Sequence, residues 1–172
     1  MIRLSKVNIN TRSISWAAMV VGSPRDARAH IKHLHVKDGH IRGTNGDRMH
    51  MVKLPEDSEF ENGFYEVIKN NKAELILNYA DSDTQEREYP CIESLLAIEG
   101  NILPGEFDNV DAYVRIIRTM PEDICINYDY VKDIFCQGDA FDITVNPKQH
   151  CAVVFRNEIK IAAIMPIKMH KL

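Results

Sequence analysis

No run of apolar residues in this chain approaches the roughly 20 that a membrane-spanning helix needs, which excludes a helical membrane anchor within it. The opening Met1-Ile2-Arg3-Leu4-Ser5-Lys6 has neither the apolar core nor the cleavage site of a secretory signal, so a cytoplasmic protein is expected. Cysteine is sparse: Cys91, Cys125, Cys136 and Cys151 show no Cys-x-x-Cys spacing. That argues against a zinc ribbon and a disulfide scaffold, and a reducing compartment would keep them as thiols. Cys125 and Cys151 fall in apolar, strand-like runs and read as small buried hydrophobes. Basic charge is not in excess either. With 21 Lys+Arg against 25 Asp+Glu, the formal net charge is −4. A coat of cations for tight nucleic-acid binding is excluded, while a modest local basic face is not.

Catalytic signatures are equally scarce. There is no nucleophile-and-base arrangement and no paired-carboxylate spacing. Gly43-Thr44-Asn45-Gly46 is too short and lacks the lysine that a phosphate-binding loop requires. Asp38 and Asp47 are turn residues by position. His30, His33 and His35 form the best metal candidate, but a strand puts His33 and His35 on one face and His30 on the other. No neighbouring Cys or carboxylate completes a tetrahedral set, so no metal is expected. The expectation is a protein that binds and is not an enzyme, with no cofactor.

What is present is a globular composition, 45% apolar and 27% charged over 172 residues, the size of one ordinary domain. Arg3 to Asn10 alternates as a weak strand. Thr11 or Ser13 can cap a helix whose Ile14, Ala17, Ala18 and Val21 make one buried stripe. Gly22-Ser23-Pro24 ends it. Ile31–Val36, His40–Thr44 and Arg48–Leu54 follow as strands, joined by hairpin signals at Asp38-Gly39 and Asn45-Gly46 and closed by Pro55.

The last third repeats the plan. Ile124-Cys125-Ile126 is a short strand, and Asn127 caps a helix carrying Tyr128, Val131, Ile134 and Phe135 that ends at Gln137-Gly138. Strands Phe141–Val145, Cys151–Phe155 and Ile159–Ile164 follow, with turns at 146–149 and Arg156-Asn157, and Pro166 closes the last. A turn precedes His40-Ile41 in one copy and His150-Cys151 in the other, and Leu54-Pro55 matches Met165-Pro166. The pattern is a duplicated strand-helix-three-strand unit. Between the copies, Gly63–Lys69 and Ala73–Tyr79 form a hairpin about Asn70-Asn71. Ile92, Leu95 and Leu96 suggest a short helical piece, 101–109 reads as loop, and Tyr113–Ile117 as one more strand. The expected fold class is α+β, a single domain 1–172: first repeat 1–56, inserted hairpin and connection 57–121, second repeat 122–169. Helices should cover one face of antiparallel sheets.

Three short stretches on these elements carry a resemblance. Thr44-Asn45-Gly46-Asp47-Arg48-Met49 is similar to a Thr-Asp-Gly-His-Arg-Leu stretch, Tyr89-Pro90-Cys91-Ile92 to Phe-Pro-Asp-Tyr, and Met165-Pro166-Ile167-Lys168-Met169 to a closing Met-Pro-Met-Arg-Leu. Together with the duplication, over about 11–56, 63–96 and 122–169, they resemble the bacterial DNA polymerase processivity clamp, the β sliding clamp. The first match keeps Thr, Gly and Arg but replaces Asp and His. The first repeat looks like the family's middle domain and the second like its last. Family rings close from six domains; this chain holds one domain's two repeats, so a ring would need many copies.

The resemblance implies a DNA-replication protein, plausibly a short phage- or mobile-element-encoded version, that tethers a polymerase or other client by a short peptide motif. It assigns Thr44, Gly46, Arg48, Met49, Pro90, Leu95, Met165, Pro166, Ile167 and Lys168 to a peptide pocket, formed within one subunit or across a contact between two. Met and Pro would supply an apolar floor, and Arg48 and Lys168 would meet peptide carbonyls or acids. Double-stranded DNA would be held weakly and without sequence preference by helix faces bearing Lys6, Arg12, Arg25, Arg28 and Lys132. The alternative is a non-encircling regulator or decoy that binds clamp partners or a host clamp. The two differ in assembly: encirclement requires a homo-oligomer.

Overall fold

The computed structural model describes residues 1–23, 25–90, 97–146 and 152–169. The chain divides into two compact units, Met1–Pro90 and Cys91–Leu172, and the sheets in both are antiparallel. Their boundary falls within the segment that the sequence pattern marks as an insertion.

The first unit begins with β1 (Ile2–Ser5) and α1 (Ile9–Ala18). A 3-10 turn (Ala29–Lys32) then leads into β2 (His33–Lys37), β3 (His40–Thr44) and β4 (Arg48–Lys53). The expected strand-helix-three-strand plan is therefore present, but its first boundary differs. Asn8, not Thr11 or Ser13, caps α1 by accepting the Asn10 N–H at 2.8 Å. The helix thus starts earlier, and Thr11 and Ser13 are buried on it. Ile14, Ala17 and Ala18 of the expected stripe are buried, whereas Val21 lies past the end of the helix and is half-buried; Trp16 joins the buried face at 1% exposure. The indole stacks on His50 of β4 at 3.9 Å, and His50 Nδ1 lies 2.9 Å from the Trp16 carbonyl oxygen. One helical residue thereby fixes α1 to the sheet by both ring and backbone. Gly43 allows the close approach, because a Cβ there would run into the Ala17 carbonyl.

The inserted hairpin, β5 (Gly63–Asn70) and β6 (Glu74–Tyr79), is part of this unit's sheet, whose order is β1-β6-β5-β2-β3-β4. It separates β1 from β2: β1 pairs with β6, Ile2 opposite Leu77, and β5 pairs with β2. Asn70 ties hairpin to helix, taking hydrogen bonds from Lys6 Nζ and Ser15 Oγ and giving one to the Ser15 carbonyl. A short α2 (Ser82–Gln85), capped by Asp81, places the Gln85 amide across both backbone groups of Phe64. Leu34, Ile41, Phe64, Leu75 and Leu77 fill the core.

The second unit contains β7 (Asn101–Leu103), α3 (Asn109–Thr119), β8 (Ile124–Cys125), α4 (Tyr128–Ile134), β9 (Asp142–Val145), β10 (Val153–Arg156), β11 (Lys160–Ile164) and β12 (Ile167–Lys168). Its sheet runs β11-β10-β9-β7, and β12 pairs with β8 separately. The run β8-α4-β9-β10-β11 is the second expected repeat, and Asn127 caps α4 as the sequence suggests. Two readings are corrected. Residues 101–103 are a strand against β9, and Tyr113–Ile117 lies inside a helix. Asp108 caps that helix through the Val110 and Asp111 amides, and Ala112, Ile116 and Met120 recur every four residues on its buried side. The helices α3 and α4 pack on each other, with Tyr113 edge-on to Tyr128. The expected short helical piece at Ile92–Leu96, the turn at 147–149, His150 and Cys151 lie outside the described residues.

Candidate functional site: the β3–β4 turn, the closing Met-Pro segment and the helix faces

In the first unit, Thr44, Gly46 and Arg48 meet in the β3–β4 turn. The Thr44 hydroxyl donates to the Arg48 carbonyl at 2.7 Å and accepts the Gly46 N–H at 3.0 Å. The Asn45 side chain accepts the Asp47 and Arg48 amides. Gly46 has φ +94°, a conformation that favours glycine, and a Cβ there would strike the Arg28 guanidinium. Arg28 braces the turn from outside, donating to the Asn45 carbonyl at 3.0 Å while forking onto both oxygens of Asp26. Those hydrogen bonds hold the Asp26 carboxyl down at about 2. The turn is thus preorganised. Met49 is 2% exposed, so its side chain belongs to the core of this unit. Pro90 is half-buried at the end of the unit, and Leu95 lies outside the described residues.

In the second unit, the segment after β11 leaves the core abruptly. Ile164 is fully buried, while Met165, Ile167 and Met169 are 37%, 52% and 46% exposed. This apolar edge does not dangle. Ile167 pairs with Cys125 and Lys168 with Ile124, and the Met169 amide donates to the Asp123 carbonyl at 2.8 Å. Pro166, half-buried, brings no N–H needing a partner. Backbone pairing therefore presents large apolar side chains to solvent, an arrangement suited to a docking partner's side chains.

The expected cations divide into two groups. Lys6 bonds Asn70 at 2.6 Å, Arg12 donates to the Lys6 carbonyl at 3.1 Å, and Arg28 serves the turn. Arg25 and Lys132 are exposed, the latter on α4 beside Asp129 and Asp133. Because Tyr113–Ile117 reads as a strand in the sequence, Arg115 and Arg118 were missed. Both are exposed on α3, and the Arg115 guanidinium lies 5.0 Å from the Phe107 ring centroid. The cap at Asp108 and the four-residue spacing were the signals for that helix.

His35 is stacked between Phe64 at 4.6 Å and Tyr89 at 4.8 Å, and Arg42 donates to its Nδ1. Burial, with Arg42 beside it, depresses its pKa to about 4. The side chain of His30 lies outside the described residues. No group of three metal-capable side chains occurs among the described residues, and no described helix is long and apolar enough to cross a membrane. Of the cysteines, Cys125 is half-buried and Cys136 exposed.

No protein-family model matches the sequence, and no curated protein matches it. Solved structures do. The DNA polymerase β subunit of Streptococcus pyogenes matches 98% of this chain with a TM-score of 0.61 at 11% identity. The DNA polymerase III β chain of Streptococcus pneumoniae gives 0.62 at 10% over 98%, and that of Thermotoga maritima 0.60 at 6% over 98%. The fold is therefore the α+β clamp fold, as the sequence resemblance implied. In particular, it is the fold of the bacterial DNA polymerase III β subunit, the sliding clamp. The chain spans about two thirds of those proteins, 66%, 64% and 65% of their respective lengths.

Proposed function

We propose that this chain is a sliding-clamp-like processivity factor that performs no catalysis and tethers a DNA polymerase or another replication protein by a short peptide motif. The observation that carries the reading is the pinned apolar edge Met165-Pro166-Ile167, on a chain with the β-subunit fold. Arg48, Thr44 and Gly46 on one unit, and Met165 to Lys168 on the other, are the proposed recognition residues, with Pro90 and Leu95. Met49 would act by shaping the core beneath the turn. On this reading the chain comprises repeats 1–56 and 122–169 with 57–121 between them, works in the cytoplasm and is of phage-like origin.

Met165 and Ile167 each have enough surface left to gain about 1 kcal/mol on burial against a ligand. Replacing both with Ala should therefore weaken capture of a clamp-binding peptide about 30-fold in fluorescence anisotropy, with the thermal melt nearly unchanged. Unaltered peptide affinity would refute the assignment.

The acidic balance of the chain, a formal net charge of −4, with Lys6, Arg12 and Arg28 each hydrogen-bonded within the chain at its surface, favours a second reading, a regulator or decoy that does not encircle DNA. Light scattering separates the two: a stable oligomer supports a ring, and a monomer at micromolar concentration supports the decoy.

A further inference from the structure

Tyr89 and Pro90 end the first unit, beyond the short α2, and none of the described residues hydrogen-bonds to Glu88, Tyr89 or Pro90. The last ties before them are made by Arg87, whose amide donates to the Thr84 carbonyl at 3.2 Å. The Tyr89 hydroxyl is buried and has no partner among the described residues. Among those residues, what fastens this segment is the face of the Tyr89 ring.

That ring lies on a platform drawn from three adjacent strands. Phe64 of β5, His35 of β2 and Arg42 of β3 stand directly opposite one another across the two ladders, so their side chains leave one face of the sheet. The Tyr89 ring stacks on His35 at 4.8 Å, inclined by 23°. The Arg42 guanidinium carbon lies 4.9 Å from the ring centroid, and the Phe64 ring 6.1 Å from it. The platform is braced from within: His35 stacks on Phe64, and Arg42 Nε donates to His35 Nδ1 at 3.1 Å. Thr44 follows Arg42 by two residues on β3 and leaves the sheet on that same face, while Gly43 between them faces α1. Platform and recognition turn thus share a face, and Pro90 is the residue next to the ring that the platform holds.

We propose that His35, Arg42 and Phe64 are positioning residues for peptide recognition, holding the Tyr89 ring and through it setting where Pro90 meets the ligand. The proposal rests on the function proposed above and adds residues that the sequence resemblance does not assign. Without the ring or its stacking partner, Pro90 samples other positions, and a peptide must reorder the segment on binding.

The test pairs fluorescence anisotropy of a labelled clamp-binding peptide with trypsin cleavage after Arg87, both on the full chain. Tyr89→Ala and His35→Ala should each weaken the peptide about tenfold and speed that cleavage severalfold. Tyr89→Phe and His35→Phe, which keep the rings, should restore both readouts. In a Pro90→Ala background, Tyr89→Ala should weaken the peptide no further, because the ring acts through that proline. Tyr89 lies half-buried at the end of the unit, so its variants keep the test decisive if His35→Ala disturbs the sheet. Additive losses with Pro90→Ala, no rescue by the phenylalanine variants, or capture that survives Tyr89→Ala would overturn this proposal alone. Wild type that captures no peptide would overturn the proposed function and this inference with it.

Discussion

The stacked His35 offers a test of the first unit in which the sign is fixed in advance. In the unfolded chain an imidazole protonates near its ordinary 6.5, whereas here burial and Arg42 hold it neutral down to about 4. Above 6.5 the group is neutral in both states and its contribution to stability is complete. As pH falls below 6.5 the unfolded chain takes the proton first, so stability declines through the window from 6.5 to 4 and then levels for this group. The interval between 6.5 and about 4 corresponds to a ceiling of about 3 kcal/mol. Because His35 is only half-buried, screening reduces this to roughly 1–2 kcal/mol. Asp26, held at about 2, loses its contribution only below its ordinary value near 4, in a separate and more acidic window. His35→Phe keeps a ring between Phe64 and Tyr89 but removes both the titration and the acceptor for Arg42, at a cost of about 1 kcal/mol at neutral pH. Urea unfolding at pH 7.5, 6.5, 5.5 and 4.5 should show wild type converging on the variant as pH falls. Parallel pH slopes for the two proteins would refute the account.

Two further outcomes follow from named contacts. Lys160 is 4% exposed and donates to Asp139 and Gln137. Asp139→Asn, which removes the carboxylate that neutralises the buried ammonium, should cost about 3 kcal/mol in chemical denaturation, while Lys160→Met should stay within about 1 kcal/mol of wild type. In DNA binding, charge reversal at Arg115, Arg118 and Lys132 should remove weak, salt-dependent association measured in a low-salt filter assay. Arg28→Glu should instead lower the melting temperature, because that side chain braces the β3–β4 turn.

Local chemistry explains what the sequence revealed and where it misled. The Asp38-Gly39 turn was legible because both residues adopt positive φ, 51° and 70°, as a tight hairpin requires. The closing Met-Pro edge was legible because Pro166 ends the apolar run Ile161–Ile164 and because Met165 to Met169 resembles the clamp family's closing stretch. Helix α3 was hidden by its β-branched run Val114, Ile116 and Ile117, which has strand propensity, while the cap that overrides it stands several residues upstream. Met49 misleads for another reason. Met49, His50, Met51 and Val52 are all buried, so both faces of β4 are covered and alternation cannot distinguish a site residue from a core residue. The pairing of β1 with a hairpin some 70 residues later leaves no local trace.

That same pairing sets an order of events during synthesis. Ile2 through Ser5 leave the ribosome well before their partners, Leu77 through Glu74, which are among the last strand residues of this unit to be made. Until then the leading strand has no ladder, and the chain must close a long loop before any reward returns. A nascent chain arrested before Glu74 would expose that strand for pairing with other chains; one released beyond Tyr79 can seal it.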